Sequence, residues 1–139
     1  MGLFDALDAS GSALSAERLR MDVTAENLAN AQSTRGANGS GPYKRKEVVL
    51  EQAGSSFADS LQAARGVRVA GIVEDPSPPR RVYDPGHPDA DAQGYVTMPN
   101  VNTVTEMTDL IGASRAYEAN VTAMQTAKSM FARTLDILK

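Results

Sequence analysis

Metal-type ligands gather in one stretch of this sequence, Asp84, His87, Asp89 and Asp91, inside the run YDPGHPDADAQGYVTMPNVN at 83–102. Carboxylates and an imidazole this close together can hold a divalent cation, and the loop to test against is the calcium loop of the EF-hand. With Asp89, Asp91, Gln93 and Gly94 placed on that loop, Asn100 falls where the bidentate Glu belongs, and no helical pattern leads in. The alignment fails. Asp and Pro at these spacings more simply make successive turns, so no metal is expected.

His87 is the single histidine, it stands beside Pro88, and no Ser and Asp surround it at a recognisable hydrolytic spacing. A nucleophile elbow, a P-loop and a dinucleotide fingerprint are absent, so neither catalysis nor a cofactor is expected. There is no cysteine, which excludes disulfides, thiol nucleophiles and thiolate zinc sites. Lys44-Arg45-Lys46 could touch phosphate, but Glu47 follows at once, and a solvated strand edge is the expectation. With 14 Lys and Arg against 17 Asp and Glu, a net charge of -3, the chain is no general binder of nucleic acid or anionic membrane.

Three asparagines carry polar possibilities of another kind. Asn27 and Asn30 share a helix face where an apolar column ends at Leu28, and they serve either packing or helix termination through the left-handed conformation that Asn tolerates. Asn120 lies mid-helix beside Tyr117 and Val121, where a hydrogen bond across a helix interface would fix register.

Proline divides the chain into the elements that hold these side chains. All 7 prolines lie between Pro42 and Pro99, and 8 of the 11 glycines fall between Arg35 and Thr103. Helix is disfavoured there and allowed on both sides. Three parts follow: 1–34 helical, 35–103 irregular with short strands, and 104–139 helical. In the first, Leu7, Leu14, Met21 and Leu28 recur every seven residues, with Phe4, Gly11, Arg18 and Ala25 three residues earlier. The last repeats the design with Leu110, Tyr117, Met124, Phe131 and Leu138, beside Met107, Ser114, Val121, Lys128 and Leu135. A seven-residue repeat makes one narrow stripe, suited to another helix rather than a thick core. The helices would be rods of roughly 40 Å over 5–31 and roughly 50 Å over 104–138. An intramolecular helical hairpin accounts for the stripes, but rods of this length on so few large aliphatics favour a seam shared between molecules.

In the middle, Tyr43 to Leu50 and Val67 to Val73 carry β-branched residues that fit a small hairpin or sheet. Phe57 and Leu61 are spaced for a short helical turn between Gln52 and Ala64, and the prolines hold 75–81 extended. Leu, Ile, Val and Phe together number 27 of 139 residues, so the core must be thin and the surface must find partners. No stretch approaches the roughly 20 apolar residues of a membrane span, so no direct membrane insertion is expected. The start lacks the basic and apolar regions of a cleavable secretory signal. The fold expected is mainly α: long N- and C-terminal helices paired in coiled-coil-like fashion around an irregular Pro- and Gly-rich insert with a small β content.

ENLANAQST at 26–34, the proline-rich loop at 83–102, and EMTDLIGASRAYEANVTAMQTAKSMFARTLDILK at the C-terminus closely resemble the FlgC family of bacterial flagellar basal-body rod proteins. The resemblance covers nearly the whole chain. NLAN and RAYEAN are shared across rod and hook proteins, whereas the loop is similar to the C-type rod proteins in particular. The resemblance implies a non-catalytic structural subunit of the proximal rod, in the periplasm, exported from the cytoplasm by the flagellar type III apparatus without a cleavable signal. Implied partners are copies of itself, other rod proteins, the membrane-ring/rod adaptor and the export apparatus. The terminal helices would form the axial core of a helical, hollow shaft, with the middle region outside. Asn27, Leu28 and Asn30 come from NLAN, and Arg115, Tyr117, Glu118 and Asn120 from RAYEAN. Together with Leu7, Leu14, Met21, Leu110, Val121, Met124, Phe131, Leu135 and Leu138 they are the expected subunit interface. An intracellular coiled-coil adaptor, a metal-dependent enzyme at the His87 loop, and an axial rod subunit of another type are the alternatives.

Overall fold

A computed structural model describes residues 3–36, 41–53 and 66–137. Two helices and four strands follow in the order α1 (Leu3–Ala29), β1 (Lys46–Gln52), β2 (Val67–Glu74), β3 (Arg80–Tyr83), β4 (Tyr95–Met98) and α2 (Thr103–Ile137). Both helices run through sequence free of proline and rich in alanine, the best helix former. The Oδ1 of Asn102 starts α2, accepting the Val104 and Thr105 amides at 3.0 and 3.4 Å, two of the donors that a helix leaves open at its first turn. The hydroxyls of Thr108, Thr122, Thr126 and Thr134 each donate to the carbonyl four residues back, so these polar side chains are satisfied within α2 itself.

α1 ends differently from the sequence expectation. Among the described residues no non-glycine residue has positive φ, so Asn30 does not supply a left-handed cap. It works through its side chain, whose Nδ2 donates to the Glu26 carbonyl at 2.9 Å and whose Oδ1 accepts from the Ser33 hydroxyl at 3.1 Å.

Asn27 meets Glu106 at one end, and the Met124 methyl lies 3.8 Å from where a Cβ on Gly11 would stand, so α1 and α2 lie antiparallel within one chain. The intramolecular hairpin therefore takes up a good part of the stripes that the sequence assigned to a seam between molecules. On α2 the buried residues are Glu106, Ala113 and Ala127. With half-buried Asn120 they form a seven-residue column four positions before Leu110, Tyr117, Met124 and Phe131. The companion column expected at Met107, Ser114, Val121, Lys128 and Leu135 is displaced by one residue from the true one, because the partners of the large side chains are Ala, Asn and Glu. Met107 and Leu135 are exposed. On α1 the buried set is Ala16, Val23, Thr24 and Asn27, and Leu7, Leu14, Met21 and Leu28 are half-buried.

β1 and β2 pair antiparallel from Lys46 opposite Glu74 to Gln52 opposite Val67, with a bulge that leaves Ala70 without an opposite residue. This hairpin lies against α1, which thus contacts both α2 and the sheet. Gly66 leads into β2 where the chain passes α1 closely: an added Cβ would collide with the Ser12 Oγ, which accepts the Val67 amide at 3.0 Å. The helical turn expected around Phe57 and Leu61 lies outside the described residues.

A second antiparallel pair, Arg80 opposite Met98 to Tyr83 opposite Tyr95, occupies ground that the prolines had suggested was only extended chain and turns. The prolines flank this pair rather than interrupt it. Val96 is fully buried, and Ala31, Pro99 and Val101, which lie beside a shared cavity, are buried as well. Among the described residues every fully buried apolar side chain is Ala, Val or Pro. The chain exposes 9508 Å², where a compact protein of its mass exposes about 6,900 Å².

Candidate assembly surfaces and the polar latch that positions them

Asn27 is 1% exposed, and all four of its amide's hydrogen-bonding positions are used. Its Nδ2 donates to the Lys46 carbonyl at 2.8 Å and to Glu106 Oε2 at 3.0 Å, and its Oδ1 accepts the Tyr43 hydroxyl at 2.9 Å and the Lys46 amide at 2.9 Å. One side chain thus ties the end of α1 to the start of β1 and the first turn of α2. Glu106, also 1% exposed, receives the Arg45 Nε on its other oxygen at 2.6 Å. Arg45 further bonds Glu47 and lies 3.5 Å from Asp75 and 3.6 Å from Asp109. Burial works against the guanidinium charge, but the hydrogen bonds to Glu106 and Glu47 outweigh it and raise the Arg45 pKa above its ordinary value. Burial, followed by the Glu26 charge, raises the Tyr43 hydroxyl, keeping it a donor to Asn27.

The latch extends to the second sheet through Asn100, whose Oδ1 accepts the Arg45 amide at 2.9 Å and whose Nδ2 reaches the Asp75 and Ser77 carbonyls. Arg45 is therefore an integral ion-pair partner, not part of a solvated strand edge. Lys44 and Lys46 do lie outward, paired with Glu74 at 3.0 Å and Glu26 at 2.7 Å. A cavity of about 350 Å³ opens beside the latch between Arg20, Val23, Arg45 and Asp109.

The carboxylates of the 83–102 loop are occupied by protein groups. Asp91 Oδ1 accepts the Gln93 and Tyr95 amides at 2.9 and 2.8 Å, and Arg81 reaches its Oδ2 at 2.5 Å. Asp89 takes the Thr34 hydroxyl at 2.7 Å and the Arg35 guanidinium, clasping the loop to the segment after α1. His87 Nδ1 accepts the Asp89 amide at 3.1 Å. Gly94 closes the loop at φ +82°, where an added Cβ would stand 2.9 Å from the Tyr83 ring and 3.2 Å from Pro85.

The remaining interface residues expected from sequence fall into three groups. Leu7, Leu14, Met21, Leu28, Leu110, Tyr117, Asn120, Val121 and Met124 are half-buried along or beside the α1–α2 seam. Asn120 makes no bond across that seam; its Nδ2 donates to the Ala116 carbonyl of its own helix at 2.9 Å, so its hydrogen bond fixes no register. Arg115, Glu118, Phe131 and Leu135 are exposed, and Leu138 lies outside the described residues. Sequence reasoning missed Tyr43, Arg45, Asn100 and Glu106. The available signal was Glu106, a carboxylate seven residues before Ala113 in the seam column, where a charge needs a buried partner.

Residues 7–37 match the family model described as flagella basal body rod protein, and residues 92–137 match that of the flagellar basal body rod FlgEFG protein C-terminal region. The flagellar basal-body rod protein FlgC of Bacillus subtilis is 47% identical over 100% of both chains. Those of Yersinia enterocolitica and Salmonella typhimurium are 48% and 46% identical over 99% of this chain and 98% of theirs. The chain belongs to the FlgC family of flagellar basal-body rod proteins. The similarity runs through both helices and the middle region, so the latch and the clasp lie inside the aligned length.

Proposed function

We propose that this chain is a non-catalytic structural subunit of the proximal rod of the flagellar basal body, in the periplasm, that builds a helical, hollow shaft through its terminal helices. The observation that carries this reading is the exposed apolar ridge on the far side of α2, where Val104, Met107 and Ile111 remain 71%, 52% and 55% exposed although α1 already occupies the other side. Residues 1–34 and 104–139 form the axial core, paired in coiled-coil-like fashion, and 35–103 forms the outer part. Arg115, Glu118, Phe131, Leu135 and Leu138 meet neighbouring subunits. Leu7, Leu14, Met21, Leu28, Asn30, Leu110, Tyr117, Asn120, Val121 and Met124 line the seam and its rim, and Asn27 sets the geometry from inside. Partners are copies of the chain, other rod proteins and the membrane-ring/rod adaptor, and the chain reaches them through the type III export apparatus without a cleavable signal.

The test is complementation of a strain lacking its own FlgC-type protein, with cryo-electron microscopy of purified basal bodies. Expected are restored motility and density for this chain in the proximal rod. A chain that restores neither, and that forms a defined soluble dimer or trimer in the cytoplasm, would be the adaptor instead.

A further inference from the structure

Among the described residues Arg18 and Asp22 on α1, and Arg115 and Glu118 on α2, make no side-chain hydrogen bond or ion pair, and all four are exposed. At about 100° per residue, Arg18, Asp22, Ala25 and Ala29 share the side of α1 opposite its buried row of Ala16, Val23 and Asn27. Val104, Met107, Ile111, Arg115 and Glu118 share the side of α2 opposite Glu106, Ala113 and Ala127. The hairpin therefore has two outer faces, one small and charged, the other apolar and charged.

The two faces fit each other in one orientation. Laid antiparallel with Arg115 opposite Asp22, the α2 face brings Glu118 to Arg18, and sets Ile111 and Met107 against the small residues Ala25 and Ala29. Laid parallel, the same rows bring like charges together. Two copies related by a rotation about an axis along the helices keep their α2 helices parallel to each other. The α2 of one then meets the α1 of the next antiparallel, as the charges require.

Resting on the reading of the chain as a rod subunit, we propose that the outer face of α2, Val104, Met107, Ile111, Arg115 and Glu118, docks antiparallel on the outer face of α1 in a second copy of this chain, at Arg18, Asp22, Ala25 and Ala29. Because the two faces are different surfaces, the contact is heterologous, and each copy offers a free donor face and a free acceptor face to the next.

The absence of cysteine makes the test clean. Met107→Cys on one tagged copy and Ala29→Cys on a differently tagged copy are expressed together in cells lacking the native protein, and isolated basal bodies are oxidised. A disulfide-linked species carrying both tags is expected, with at least tenfold less when Asp8→Cys replaces Ala29→Cys. Both variants present in basal bodies without that species, or Met107→Cys joined only to another axial protein, would overturn the proposal while leaving the rod assignment standing. A second arm covers variants that fold poorly. Arg18→Glu and Glu118→Arg each reduce swarm diameter in soft agar several-fold, and both changes in one chain recover at least half of it. Two single losses that simply accumulate in the double variant would equally sink the contact.

Discussion

Asn27 carries more of this fold than its size suggests, because each of its four hydrogen bonds leads to a different backbone or side-chain group and the side chain itself is buried. Asn27→Leu keeps the volume and removes every bond, leaving the Lys46 amide and a Glu106 oxygen short of a partner. About 3 kcal/mol of stability should be lost, read from the urea midpoint. Arg45→Met is harsher in kind, since it leaves the Glu106 carboxylate buried without its cation. A loss of about 3–5 kcal/mol is expected, and Arg45→Met combined with Glu106→Leu should cost less than Arg45→Met alone. The clasp at Asp89 responds to acid. Hydrogen bonds from Arg35 and then Thr34 hold the Asp89 carboxyl below the usual carboxylate range. Its contribution is therefore complete above the unfolded aspartate value near 3.9 and is lost as pH falls through the lower folded value. Thr34 and Arg35 signals followed by NMR should stay fixed from neutral pH to about 4 and shift below it, and Asp89→Asn should abolish that step. The sequence did not disclose these roles, because the partners of Asn27 lie 16, 19 and 79 residues away and those of the Asp89 carboxylate more than 50.

The elements are held unevenly along their length. At one end α1 and α2 share the latch; at the other, Gly11 faces Met124 and the buried group is Ala127, while the β1–β2 hairpin runs along α1 from Asn27 to Ser12. Amide exchange on the isolated chain should follow that gradient, with protection across 16–29 and 103–117 and little across 3–10 and 128–137. Uniform protection of both helices would show that the seam alone holds them. Met124→Asp places a carboxylate in the seam and should open the far half of the hairpin, while Gln125→Glu, on an exposed position next to it, should shift stability by a few tenths of a kcal/mol. The helices were legible because proline leaves both ends of the chain free, and β1–β2 because β-branched residues cluster there. The seam was half legible: its large residues and Asn120 stood out, but Glu106, Ala113 and Ala127 do not look apolar enough to be read as their partners. β3–β4 was hidden by the prolines around it.

The whole molecule is extended, with some 9508 Å² accessible against about 6,900 Å² for a compact chain of the same mass. Burial between copies is thus expected to supply order that the single chain lacks, and the sedimentation coefficient of the monomer should fall well below that of a sphere of 14.7 kDa. The antiparallel hairpin also has a mechanical side. Both termini leave it at the same end, about 40 Å from the latch by the length of α1. A pull on the two ends loads the seam as a zipper, parting one layer of side-chain contacts at a time, while a pull across the latch would load its hydrogen bonds all at once in shear. In an optical trap, handles at residues 3 and 137 should open the helices at low and nearly constant force until the Asn27 region gives way in a single last step. A subunit built this way can be drawn out as a thread from its ends with little work, yet resists being pulled apart at the end that the latch holds.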